Sequence, residues 1–148
     1  MSEASTTVLF RQVCRRLPRG RLRELASRLG QTVAGGRAFT CLLTGDRELR
    51  RLNRQFLKRN YATDVLAFPA PGPDTFLGEM AISVDRAYQQ ARRDGHRVEE
   101  EIGVLMLHGL LHLLSMDHEA DRGQMARAET RWRKKLGLPA SLMERGRP

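Results

Sequence analysis

The sequence predicts a single α+β domain in which a mixed four-stranded sheet packs against about five helices. Short apolar runs alternate with segments whose apolar residues recur every three or four positions, in the order βαβαββααα. Residues 102–114 are almost entirely apolar, which is typical of a helix buried on most of its circumference. A chain of 148 residues has the length of one domain with its own core. We therefore expect one domain over residues 1–148, with loose tails at 1–7 and 139–148.

Each element follows from a local signal. Pro18 suits the first turn of a helix, Asp46 can cap the next helix, and Gly95 can stop a third. The predicted strands cover residues 8–13, 37–44, 65–68 and 78–83, and the predicted helices cover 18–33, 47–56, 84–94, 99–114 and 119–136. Side chains expected to face inward are Leu49, Leu52 and Phe56 in the second helix and Met125, Ala128 and Trp132 in the last.

Three of the four histidines lie within eleven positions of one another, around the end of the apolar helix. His108 and His112 are four residues apart, so both project from the same side of the helix, with Cβ atoms about 5–6 Å apart. Two imidazoles at that separation can bind one metal ion, and a turn after Leu114 can return His118 as a third ligand. Asp117 can hold His118 as a hydrogen-bond partner or cap the last helix.

A lone histidine on an apolar helix is more often a core residue bonded to a backbone carbonyl, and that alternative applies here. Two buried imidazoles on one side of a helix are harder to explain in this way, because burying polar nitrogens is costly unless they are paired. Three neutral nitrogen ligands suit zinc best, and iron or nickel would also accept them. Three ligands with an open position are typical of catalytic zinc, in which bound water completes the coordination.

The histidine spacing is similar to that of zinc peptidases, whose motif is H-E-x-x-H-x-x-G-x-x-H. In those enzymes the residue after the first histidine is a glutamate, which takes a proton from the zinc-bound water. Gly109 occupies that position here. A peptidase of this type would lack its general base.

The positive charge is concentrated in the first part of the chain. Residues 1–60 contain 14 Arg or Lys and four acids, a net charge of +10, whereas residues 61–148 contain 12 and 13, a net charge of −1. This asymmetry favours a polyanionic partner, although an arginine-rich genome could place the same residues at solvated positions. Cys14 and Cys41 form no CxxC pair and are expected to be buried, reduced residues. With no apolar span and no secretion signal, we expect a cytoplasmic protein and no membrane partner.

The histidine stretch resembles a known family. Residues 108–118 (HGLLHLLSMDH) resemble the HGxLHLxGYDH signature of the YbeY family of bacterial endoribonucleases, also called rRNA maturation factors. Residues 62–69 (ATDVLAFP) resemble its PTDVLSFP segment, and residues 78–83 (GEMAIS) resemble its GDI-type strand. Met125 and Glu129 lie where the last helix of the family has its usual Met and Glu. The resemblance covers residues 38–137.

The resemblance implies a zinc-dependent, single-strand-specific endoribonuclease that processes the 3′ end of 16S rRNA in late ribosome maturation and quality control. Its expected partners are ribosomal RNA and the small ribosomal subunit, and no DNA partner is expected. Leu57 occupies the position of a family arginine, so Lys58 or Arg59 is expected to supply that catalytic charge. The alternatives are a non-catalytic ribosome assembly factor with a structural zinc and a zincin-like hydrolase of another substrate.

Overall fold

The computed structural model has the predicted fold, a four-stranded mixed sheet with five helices. It describes residues 5–13, 15–57, 63–72, 75–114, 123–140 and 144. Its elements are β1 (Thr7–Phe10), α1 (Arg19–Thr32), β2 (Ala38–Thr44), α2 (Asp46–Leu57), β3 (Val65–Pro69), β4 (Phe76–Ser83), α3 (Val84–Asp94), α4 (Val98–Leu113) and α5 (Gln124–Leu136). No helix among these residues is both long and apolar enough to span a membrane.

The sheet has the strand order β1-β2-β4-β3, with the first three strands parallel and β3 antiparallel to β4. Its register aligns Val8, Cys41, Met80 and Ala67 in one row across all four strands. The first three are buried, and all four belong to or pack against the main core. Side chains alternate between the two faces of a strand, so this row defines the face on which α4 packs.

The apolar helix α4 lies at the centre of the core. Every residue from Glu101 to Leu111 is buried. The expected acidic start is confirmed, because residues 99–101 lie in the first turn and Glu100 Oε1 accepts a hydrogen bond from the backbone N–H of Arg97 at 3.0 Å. A Cβ added at Gly109 would lie 3.0 Å from Met80 Sδ, so the glycine permits close approach of α4 to the sheet.

Among the described residues, α2 is the helix that packs on the opposite face of the sheet, and here two predictions need correction. Leu49 is buried and Leu52 packs beside it, but Phe56 is 57% exposed and contacts Phe68 with ring centroids 5.6 Å apart. Asp46 is the first residue of α2. Its Oδ1 accepts hydrogen bonds from Ser83 at 2.6 Å and from Arg86 at 3.2 Å, so the carboxylate joins α2 to α3.

The ends of the chain also differ from expectation. Thr7, placed by the sequence in a loose tail, is the first residue of β1, and that strand ends at Phe10 rather than at residue 13. The last helix begins at Gln124, because Gly123 has φ 89° and interrupts helical geometry there. Residues 119–122 of the predicted helix lie outside the described residues. Met125, Ala128 and Trp132 face the core as expected.

Candidate metal centre

The last two turns of α4 bring His108 and His112 together. The Nε2 atoms of the two rings lie 3.2 Å apart, and the ring centroids are separated by 4.8 Å with an interplanar angle of 67°. His108 is 4% exposed, whereas His112 is partly accessible. The four-residue spacing places both rings on one side of the helix, and burial among apolar neighbours limits their movement.

Glu129 of α5 holds His108 from the other side of its ring. Its Oε1 lies 2.5 Å from His108 Nδ1, and both side chains are buried. With a carboxylate oxygen as the acceptor, Nδ1 is the donor in this contact, and Nε2 is the ring nitrogen that faces His112. The same arrangement orients metal-ligating histidines in many proteins.

These residues fit a bound zinc ion. A tetrahedral zinc with bonds of about 2.0–2.1 Å requires two ligand nitrogens to lie about 3.3 Å apart, close to the separation found here. Glu129 is 1% exposed, and its Oε2 has no hydrogen-bond partner among the described residues. A buried carboxylate needs a nearby positive charge, and a cation on His108 Nε2 would supply it through the ring.

The other predicted site residues lie outside the described part of the chain. They are Lys58, Arg59, Asp117 and His118. Cys14, which was expected to be a buried, reduced residue, also lies outside the described part. The structure therefore places two of the three predicted histidine ligands. Cys41 is fully buried in β2, which agrees with its expected role as a small core residue.

A second group of side chains could also hold a metal ion. Asp94, His96 and Glu101, at the junction of α3 and α4, each offer one ligand atom, and these atoms lie within 4.8 Å of one another. Glu101 precedes His108 by two helical turns, which is about 10 Å along α4. The two Nε2 atoms of His108 and His112 lie 3.2 Å apart, so the histidine pair is the more compact site. Asp94 is also exposed and pairs with Arg93 at 3.3 Å.

Comparison with known proteins identifies the family. The family model described as Endoribonuclease YbeY matches residues 12–137. A Solibacter usitatus protein named Endoribonuclease YbeY is 56% identical over 144 residues, which cover 97% of this chain and 97% of that protein. The chain belongs to the YbeY family. The family model begins at residue 12, in the segment between β1 and α1, whereas the resemblance found from the sequence motifs began at residue 38.

One more relative and one solved structure agree with this result. A Helicobacter pylori (strain Shi470) protein named Endoribonuclease YbeY is 40% identical over 119 residues, covering 80% of this chain and 85% of that protein. A Thermotoga maritima protein solved in solution superposes with a TM-score of 0.60 at 21% identity, covering 93% of this chain and 95% of that one. The latter supports the fold.

Sequence reasoning assigned no role to Glu129 in this YbeY chain, although the resemblance had marked its position. The available signal was its spacing, because Met125, Ala128 and Glu129 share one side of α5 and the first two face the core. A glutamate on the apolar side of an amphipathic helix needs a buried partner. The partner is His108, 21 residues away. The group around Glu101 was also missed, and its signal was an acidic residue at the start of an apolar helix.

Proposed function

We propose that this chain is a zinc-dependent, single-strand-specific endoribonuclease that processes the 3′ end of 16S rRNA during ribosome maturation and quality control. The observation that carries the proposal is the 3.2 Å approach of Nε2 of His108 and His112, with Glu129 fixing the first ring. Membership of a family whose relatives are named endoribonucleases supports RNA as the substrate.

In this proposal the chain holds the zinc through His108 and His112, and His118 is the third ligand. When bound, the ion supplies a Lewis acid for a phosphodiester oxygen and lowers the pKa of water. Glu129 keeps the proton of His108 on Nδ1, so that Nε2 stays available. Asp117 orients His118. The alternative role of capping the last helix is not kept, because α5 begins at Gln124 with Gly123 as its N-cap. Gly109 offers no proton acceptor, so this chain does not use the base position of zinc peptidases.

Positive side chains complete the proposed reaction. Lys58 or Arg59 offsets the negative charge that builds on phosphorus in the transition state. The basic half of the chain attracts the RNA backbone and the small ribosomal subunit, an attraction that weakens steeply with added salt. We place this reaction in the cytoplasm.

The test pairs two histidine variants. His112→Ala should lose both bound zinc, measured by mass spectrometry of the purified protein, and cleavage of single-stranded RNA. His96→Ala is the matched control, because it removes a histidine from the second candidate metal group only. It should keep both properties. Duplex RNA and DNA of the same sequence should resist cleavage.

Three results would count against the proposal. Cleavage by His112→Ala that survives chelation would show that the pair is not the reacting centre. Zinc lost from His96→Ala but kept by His112→Ala would move the metal to the other group. Zinc bound by the native chain without RNA cleavage, together with restored rRNA processing in a deletion strain, would favour the assembly factor.

A further inference from the structure

Three arginine guanidinium groups lie over two aromatic rings where β1 leads into α1, and a fourth arginine, Arg16, lies between them in the sequence. The guanidinium carbon of Arg19 lies 4.5 Å from the ring centroid of Phe10, and that of Arg23 lies 5.0 Å from it. Next to them, Arg15 lies 4.4 Å from the ring centroid of Tyr88, whose hydroxyl donates a hydrogen bond to the Arg16 carbonyl at 2.9 Å. We call Arg15, Arg16, Arg19 and Arg23 the arginine patch.

The arginine patch is exposed, and its charge is not neutralised by nearby acids. Among the described residues, no carboxylate oxygen lies within 4.0 Å of any of its four guanidinium groups, all on exposed residues. Other arginines do have such partners. For example, Nη1 of Arg21 lies 3.7 Å from Oε1 of Glu99. Four positive charges this close repel one another, and an anionic ligand would relieve that repulsion.

The three arginines that lie over a ring keep hydrogen-bond donors for phosphate. A guanidinium over a ring uses its planar face, while its N–H donors point outward along the edge. That edge matches two phosphate oxygens, with which arginine forms paired, charge-assisted hydrogen bonds. Phe10 packs against the core, so it limits the movement of Arg19 and Arg23. Less conformational entropy is then lost when an anion binds.

The arginine patch lies across the sheet from the histidine pair. Phe10 belongs to the edge strand β1. The histidine-bearing half of α4 packs at the other edge, where a Cβ at Gly109 would lie 3.2 Å from Val65 of β3. Three strand spacings separate the two edges, about 14 Å. A ligand on the patch therefore contacts the protein away from the site of cleavage.

We propose that the arginine patch binds the sugar-phosphate backbone of the RNA substrate outside its cleavage site. The inference rests on the proposed function and adds a second contact surface to it. Because the contacts are to phosphates, the patch should strengthen binding of any single-stranded RNA without setting its sequence preference.

A double substitution on one side of α1 tests the proposal. Arg19→Ala/Arg23→Ala removes two charges from the arginine patch, and Arg21→Ala/Arg28→Ala removes two from the other side of the same helix. Alanine favours helix, so both variants should keep the wild-type melting temperature. We would measure the Kd of zinc-loaded protein for a labelled single-stranded RNA by fluorescence anisotropy at several salt concentrations, and KM and kcat for its cleavage.

The patch variant should bind RNA at least tenfold more weakly, with a higher KM and an unchanged kcat. The control removes the same charge from the basic half but leaves the patch intact, so it should lose much less affinity. For the patch variant, the slope of log Kd against log salt concentration should fall by about 1.4, since each phosphate contact to a single strand contributes about 0.7. Equal Kd and equal slope for both variants would overturn the proposal. Weaker binding to vesicles of anionic lipid, with RNA binding unchanged, would instead assign the patch to a membrane surface. The anisotropy result stands even if the chain cleaves no RNA, so the two proposals can fail separately.

Discussion

Glu129 accepts a hydrogen bond from Nδ1 of His108, and this contact joins α5 to α4 at the buried side of the candidate metal centre. The pair fixes the imidazole in one tautomer and directs its second nitrogen toward His112. Because α5 packs on α4 through Met125 and Ala128, the position of this carboxylate depends on the core and not on solvent. The packing of the last helix therefore sets the orientation of the His108 ring.

Replacing Glu129 with glutamine should weaken zinc binding without removing a ligand. The amide has a similar shape, but it has no negative charge and it donates as well as accepts, so the Nδ1 proton is held less firmly. We expect a 10–100-fold loss of zinc affinity, in the range found for such partners, measured by competition with a fluorescent chelator. Glu24→Gln on the exposed side of α1 is the control and should match wild type. Equal affinities for all three proteins would mean that the contact is only structural.

Local patterns predicted the elements well, and contacts between distant residues set the differences. The bounds of α3 follow from two neighbouring signals, since Ser83 accepts a hydrogen bond from the backbone N–H of Arg86 and Gly95 adopts φ 75°. Phe56 has the correct spacing for the inner side of α2, yet it is 57% exposed. Helical spacing gives the direction of a side chain but not whether a neighbour covers it.

The candidate site shows the same division. The spacing of His108 and His112 along one helix was enough to predict that their rings meet. The contact with Glu129 depends on how α5 packs against α4, and periodicity within one segment contains no information on that. Only the expectation that a buried carboxylate has a partner pointed to it.

Glu48 should make the stability of the fold depend on pH. Its carboxylate accepts hydrogen bonds from Arg51 at 2.9 and 3.0 Å and from Arg11 at 3.2 Å. The Arg51 hydrogen bonds, helped by Arg11, lower the pKa of the Glu48 carboxyl below its ordinary value, although partial burial opposes them. A lowered pKa in the folded state stabilises the fold above the unfolded pKa, and this stabilisation is lost as the pH falls through the folded value.

The urea midpoint of the wild type should therefore fall between about pH 6 and about pH 3 by more than that of Glu48→Gln. Glu79→Gln, on the exposed side of β4, is the control and should follow the wild type. Parallel pH profiles for the wild type and Glu48→Gln would contradict the assignment.

Gly78 should be intolerant of alanine because of both its backbone angle and its neighbours. It has φ 141° beside the turn between β3 and β4, and a Cβ there would lie 2.4 Å from the Phe68 carbonyl oxygen. The backbone angle alone should cost about 1–3 kcal/mol of unfolding free energy, and the clash should add to it. Gly20→Ala is the matched control, because a Cβ added at Gly20 in α1 would meet no neighbouring atom within 4 Å. This substitution should stabilise the fold by up to about 1 kcal/mol. Urea unfolding measures both, and a Gly78→Ala protein as stable as wild type would contradict the geometry.

Cys41 should be chemically silent in the folded protein. It lies in the row that includes Val8 and Met80, it is fully buried, and burial raises the pKa of its thiol well above the ordinary value. The thiolate is the reactive form of cysteine, so burial suppresses both the access of reagents to Cys41 and its ionisation.

Iodoacetamide in native buffer should leave Cys41 unmodified, whereas the same reagent in urea should alkylate it fully. Mass spectrometry of the peptide that contains Cys41 measures both results. Modification in native buffer at the rate found in urea would show that the sheet opens there.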